Sequence, residues 1–126
     1  MNHLLLVVIG GGIGAGLRHL SGTAALRLMG PNFPWGTLFV NVFGSLVMGL
    51  FIAWLVKRTG GTSQEVRLFF ATGVLGGFTT FSAFSLDVAN LIEKGAQSDA
   101  VFYIVSSVLL SIAAVFAGLW MGRTIL

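Results

Sequence analysis

Gly73-Val74-Leu75-Gly76-Gly77-Phe78-Thr79-Thr80-Phe81-Ser82-Ala83-Phe84-Ser85 lies inside a long apolar segment, yet it breaks most habits of a continuous helix. Paired glycines lower helix stability, and the Thr and Ser hydroxyls compete with the backbone for hydrogen bonds. At membrane depth a freed backbone is tolerated only where it is buried in protein or lines a hydrated path, and transporters place ion sites at such breaks. Phe81 and Phe84 are three apart and share a face, with Ser82 and Ser85 on the adjoining stripe. A phenylalanine ring is electropositive at its edge, so two rings presented edge-on could stabilise a small anion without a fixed charge. The stretch reads as an ion-handling centre. The alternative is a packing notch, with glycines admitting a neighbouring helix and hydroxyls bonded back to their own turn. The conjunction of Gly-Gly, Thr-Thr and two Phe–Ser pairs favours the first reading.

Three other places carry chemistry. Asn41 is the only side-chain amide in the apolar run from Trp35 to Val56, on a face shared with Thr37, Gly44 and Met48. Its amide could donate to an anion in a pore, or bond to a neighbouring helix, which is the commoner use. Tyr103, Ser107 and Ser111 repeat at i, i+4 and i+8, a hydroxyl ladder down one face. Each serine could instead bond to the carbonyl one turn back, but three hydroxyls in register favour a polar track. Arg18 lies roughly 9 Å inside the membrane boundary of the first span. It is expensive there unless it snorkels or faces a hydrated cavity, so a snorkelling residue and a vestibule residue that attracts anions or braces a pore are equally open. With straight helices, Arg18, Asn41, Phe81 and Ser107 all fall roughly 9–10 Å from one membrane face. Four helices then bring polar or aromatic groups to one level.

Composition dictates what must position these groups. Of 126 residues, 56% are hydrophobic and only 9% charged, which no soluble domain of this size sustains. Four spans are expected, at about 4–29, 34–57, 65–94 and 99–123, the third broken near 76–80, forming a single membrane domain over 1–126. The first apolar run lacks the Lys/Arg flank of a secretory signal and reads as a retained span. Gly30-Pro31-Asn32-Phe33-Pro34 marks a turn, and Thr59-Gly60-Gly61-Thr62-Ser63-Gln64 a flexible polar loop, with Ser63 as helix cap. Gly95 supplies the next cap, and Ser98-Asp99 begins the last span.

Several chemistries are excluded. Cysteine is absent, so there is no disulfide framework or thiolate site. Gly10-x-Gly12-x-x-Ala15 loosely matches a dinucleotide fingerprint, but it opens no βαβ unit and no acid occurs before Glu65. Gly10/Gly14 and Gly12/Gly16 instead give the small-xxx-small spacing of touching membrane helices, as do Ala114, Gly118 and Gly122. A net charge of +3 without a basic stripe gives no nucleic-acid surface. The spans hold no acid–base pair, metal cluster or activated nucleophile, so an enzyme is not expected. Lys57, Arg58, Arg67 and Arg123 lie toward one side; Arg27, Lys94 and, by snorkelling, Arg18 lie toward the other. The positive-inside bias is small, and a chain inserting both ways could form an antiparallel two-fold dimer.

Three motifs, in order, resemble the Fluc (CrcB) family of fluoride channels: Gly11-Gly12-Ile13-Gly14-Ala15-Gly16-Leu17-Arg18, Gly36-Thr37-Leu38-Phe39-Val40-Asn41-Val42-Phe43-Gly44, and the stretch from Gly76 to Ser85. The resemblance implies a passive fluoride channel in the bacterial inner membrane, relieving fluoride toxicity. It further implies a dual-topology homodimer with two pores. Asn41, Phe81, Phe84, Tyr103, Ser107 and Ser111 would line each pore beside Thr80 and Ser82, with Arg18 in the vestibule. Gly76 and Thr79 would give backbone carbonyls to a structural sodium ion on the two-fold axis. This sequence departs from the family pattern at His19, where Tyr is usual, and at Ala83, where Thr is common. His19 brings a side chain able to change charge near neutral pH, and Ala83 removes one hydroxyl. Two other classes compete. A proton-coupled cation exporter needs an acid buried in an early span, which spans one and two lack. A packing subunit of a larger complex explains the small residues but not the hydroxyl and phenylalanine register.

Overall fold

The computed structural model describes residues 2–60 and 63–126, and four of its helices are long and apolar enough to cross a membrane: His3–Met29, Trp35–Thr59, Gln64–Glu93 and Gln97–Thr124. No strand occurs among the described residues. The first helix, α1 (His3–Met29), is capped by Asn2, whose Oδ1 accepts from the Leu4 amide at 2.8 Å and the Leu5 amide at 3.3 Å. Gly30 ends it at φ 81°, a region a β-carbon disfavours, and its N–H returns to the Leu26 carbonyl. The prolines at 31 and 34 bar continuation, and α2 runs Trp35–Thr59. Gly61 and Thr62, in the expected polar loop, lie outside the described residues.

The third crossing is not one regular helix. It opens as α3 (Gln64–Val66), with Ser63 in the capping position but making no side-chain cap bond, contrary to the expectation for that residue. It widens into a π-helical stretch at Arg67–Leu75 and returns to α geometry in α4 (Gly76–Phe78). The chain then extends through Thr79 and Thr80 and resumes as α5 (Phe81–Glu93). The last helix, α6 (Gln97–Ile125), begins one residue before the Ser98-Asp99 pair, with Ala96 at its N-cap.

Close backbone approach sets the packing. A β-carbon on Gly14 would strike the Val74 carbonyl and come within 2.7 Å of the Phe78 nitrogen, and one on Gly77 would strike the Gly11 carbonyl. Gly10 meets Gly73 in the same seam. Thus α1 lies directly on the half-helix that precedes the break. On the other side, Gly49 and Gly118 let α2 and α6 touch, and Gly122 faces Ala53. Gly12 and Gly16 behave differently from expectation: nothing lies within 4 Å of a β-carbon at either. Only one of the two glycine pairs on α1 packs within the chain.

Candidate functional site

The glycines do not open the third crossing. Gly76 and Gly77 are both helical, and it is the small size of Gly77 that serves the contact with α1. The interruption falls on the threonines, at φ −88°, ψ 159° for Thr79 and φ −156°, ψ 126° for Thr80. Extended backbone here loses its ladder, and other helices replace it. The Thr79 amide and hydroxyl both close on the Leu75 carbonyl at 3.0 Å, the last turn of α4. The Thr80 amide, which would ordinarily return to Gly76, instead donates to Asn41 Oδ1 at 2.7 Å. Asn41 Nδ2 donates back to the Thr80 carbonyl at 2.9 Å. A side-chain amide carries the same donor and acceptor as a peptide, so Asn41 supplies from α2 a two-bond rung that the broken helix lacks. Of the two uses open to Asn41, the structure therefore fills the bond to a neighbouring helix, and one hydrogen of its NH₂ lies outside this pair.

Thr80 also starts the next helix. Its Oγ1 accepts from the Ala83 amide at 3.1 Å and lies 3.3 Å from Ser82 Oγ. Because Ala83 turns to that hydroxyl, the Thr79 carbonyl loses its helical donor, as the Gly76 carbonyl loses Thr80. The Gly77 carbonyl between them is taken by Arg18 Nε at 3.0 Å.

Beside the break lies a groove of about 380 Å³. Asn41, Thr80, Phe81, Phe84, Ser107 and Ser111 all line it, joined by Gly44, Ser45 and Met48 of α2. The Phe81 and Phe84 rings stand 5.5 Å apart at 50°, but in unlike settings: Phe84 is 8% exposed and Phe81 76%. The serines are unlike too. Ser45, Ser85 and Ser106 each donate to the carbonyl four residues back. Ser107 Oγ and Ser111 Oγ are buried with no hydrogen-bond partner. A buried hydroxyl left unpaired costs about 1–3 kcal/mol and calls for an explanation.

Not every candidate reaches this groove. Tyr103, the first rung of the expected ladder, is fully buried against Phe84, and its hydroxyl donates to Asp87 Oδ2 at 2.9 Å. Ser82 is exposed and outside the lining. Arg18 opens onto a second cavity of about 350 Å³ with His19, Thr23, Thr37 and Ala83, and Thr80 is the residue common to both spaces. Asp87 is the functional partner that the motifs did not single out. Its spacing from Phe84 and Leu91, both buried on one face of α5, was the signal that could have placed it beside Tyr103. Among the described residues no cluster of three or more His, Cys, Asp or Glu could hold a metal.

Residues 5–119 match the family model described as CrcB-like protein, Camphor Resistance (CrcB). Proteins named fluoride-specific ion channel FluC are similar over nearly the whole chain. Those of Mesorhizobium japonicum and a Chelativorans species are 61% and 60% identical, covering 99% and 100% of both partners. The Hyphomonas neptunium protein is 57% identical, over 99% of this chain and 98% of its own. Matched from end to end in this way, a multi-pass membrane chain with a threonine break braced by an asparagine belongs to the Fluc (CrcB) family.

Proposed function

We propose that the protein is a passive channel for fluoride, carrying no catalytic activity and exporting the ion across the inner membrane to relieve its toxicity. The observation that carries this reading is the pair of buried, unpartnered hydroxyls of Ser107 and Ser111 facing the same groove as Asn41, Phe81 and Phe84. A small, strongly hydrated anion can shed water only where donors replace it, bound neither too weakly to enter nor too tightly to leave. Two hydroxyls, the second hydrogen of the Asn41 amide and the ring edges offer such donors without a fixed positive charge that would trap the ion. The names of the relatives point to the same ion. Tyr103 would extend the track once its hydroxyl leaves Asp87, Ser82 would flank it beside Thr80, and Arg18 would stand in the vestibule.

The working unit is proposed to be an antiparallel homodimer with two pores. Weak charge asymmetry between the membrane faces supports insertion in both orientations. A two-fold axis near the breaks would bring together the Gly76 and Thr79 carbonyls of both copies. These carbonyls fit a hard cation, because their helical donors have turned to Asn41 and to the Thr80 hydroxyl. A structural sodium ion there would tie the two breaks together.

Fluoride-electrode recording of efflux from liposomes containing the purified protein tests the function. Efflux that follows the membrane potential and ignores an imposed pH gradient is expected; efflux driven by the proton gradient would reject the passive reading.

A further inference from the structure

Gly10, Gly14 and Arg18 fall at steps of four on α1, so they form one stripe. The two glycines bring that stripe to backbone contact with Phe69, Gly73, Val74 and Phe78. One turn further on, the stripe ends in a long side chain, at the level where the half-helix itself ends. There Arg18 Nε meets the Gly77 carbonyl at 3.0 Å, across 59 residues of sequence. The last carbonyls of a helix have no intrahelical donor and carry the negative end of its dipole. Soluble helices usually close them with a following glycine or with water. Here the following residues are extended threonines, and neither amide reaches the Gly77 carbonyl: that of Thr79 goes to Leu75 and that of Thr80 to Asn41.

We propose that Arg18 is the positioning residue of the break, a C-terminal cap supplied from another helix. It holds the Gly77 carbonyl and so fixes the direction in which the chain leaves α4, placing Thr80 against Asn41. Its charge offsets the negative helix end beside the groove. Arg18 acts through Gly77 and Thr80, not by contact with the ion. The glycine seam and the arginine are therefore one device: the seam sets the distance and the guanidinium sets the end point. The consequence for transport rests on the reading that the break borders the fluoride pathway, while the capping role does not.

Amide hydrogen exchange on the purified protein, read on peptides covering residues 75–85, tests the cap independently of transport. Arg18→Gln should raise exchange there roughly tenfold, as expected for loss of a hydrogen bond to a charged donor. Exchange in α6 should stay unchanged and fluoride efflux should fall. Arg18→Lys, which keeps the charge and an N–H donor, should recover most of the protection and most of the efflux. If Arg18→Gln does not accumulate, Arg18→Lys against the parent protein still decides: exchange about two- to threefold above the parent's and confined to 75–85 is expected, and exchange equal to the parent's there would overturn the proposal. Unchanged exchange at 75–85 in Arg18→Gln, with efflux reduced, would overturn the proposal in favour of an anion-collecting charge. Faster exchange across all four helices would overturn it in favour of a general folding role. Absence of fluoride efflux from the parent protein would sink the functional reading and leave the exchange result standing.

Discussion

A serine inside a helix normally closes on the carbonyl one turn back, as Ser45, Ser85 and Ser106 do here. Ser107 and Ser111 leave that bond unmade while buried, which is unfavourable for the fold unless something else fills it. The double substitution Ser107→Ala with Ser111→Ala should therefore leave thermal stability unchanged or raise it by about 1 kcal/mol. Efflux should fall roughly tenfold or more, the effect of losing about 1.4 kcal/mol of stabilisation in transit. Lower stability with unchanged efflux would make the serines structural. The two rings should separate in the same way. Phe84 is packed on Tyr103, with centroids 5.0 Å apart, so Phe84→Ile should cost about 1–3 kcal/mol in addition to flux. Phe81 is largely exposed in the single chain, so Phe81→Ile should reduce flux with a stability change within about 0.5 kcal/mol, read from unfolding curves.

At the scale of elements, the third crossing depends on its neighbours at both ends of the break. Removing the Asn41 amide by Asn41→Ala strands the Thr80 N–H and carbonyl together, a loss of about 2–4 kcal/mol measurable by thermal unfolding in detergent. Gly14→Ala places a carbon against the Val74 carbonyl and should destabilise by about 1–3 kcal/mol or more. Gly12→Ala meets nothing and should be neutral or gain up to about 1 kcal/mol from helix propensity. Much of this was legible in the chain, because hydropathy alone sets four apolar helices and the Gly-Pro and glycine punctuation sets their ends. The position of the break was legible, but its cause was not. Gly-Gly suggests flexibility by propensity, whereas both glycines are helical, Gly77 pressed against Gly11 of α1, and the threonines open instead. The π-helical stretch from Arg67 to Leu75 has no local sequence signature, and it lies where α1 presses closest. Asn41 stood out as a lone amide, but its partner lies 39 residues away and no spacing rule reaches that far.

For the whole molecule, the surface is as telling as the site. Leu4, Val8, Leu20, Leu28, Val101 and Phe116 all face outward, as lipid-facing side chains do and as those of a water-soluble chain of this size do not. The groove beside the break is open, with the exposed Phe81 among its lining residues, and in the proposed dimer a second copy would close it off from lipid. In the proposed channel this groove replaces the water around fluoride and around little else. The most direct measurement is the reversal potential of a planar bilayer containing the purified protein, with fluoride and chloride gradients set in opposition. A fluoride-selective groove holds that potential at the fluoride equilibrium value. A potential drawn to the chloride value, or to that of the accompanying cation, would contradict it.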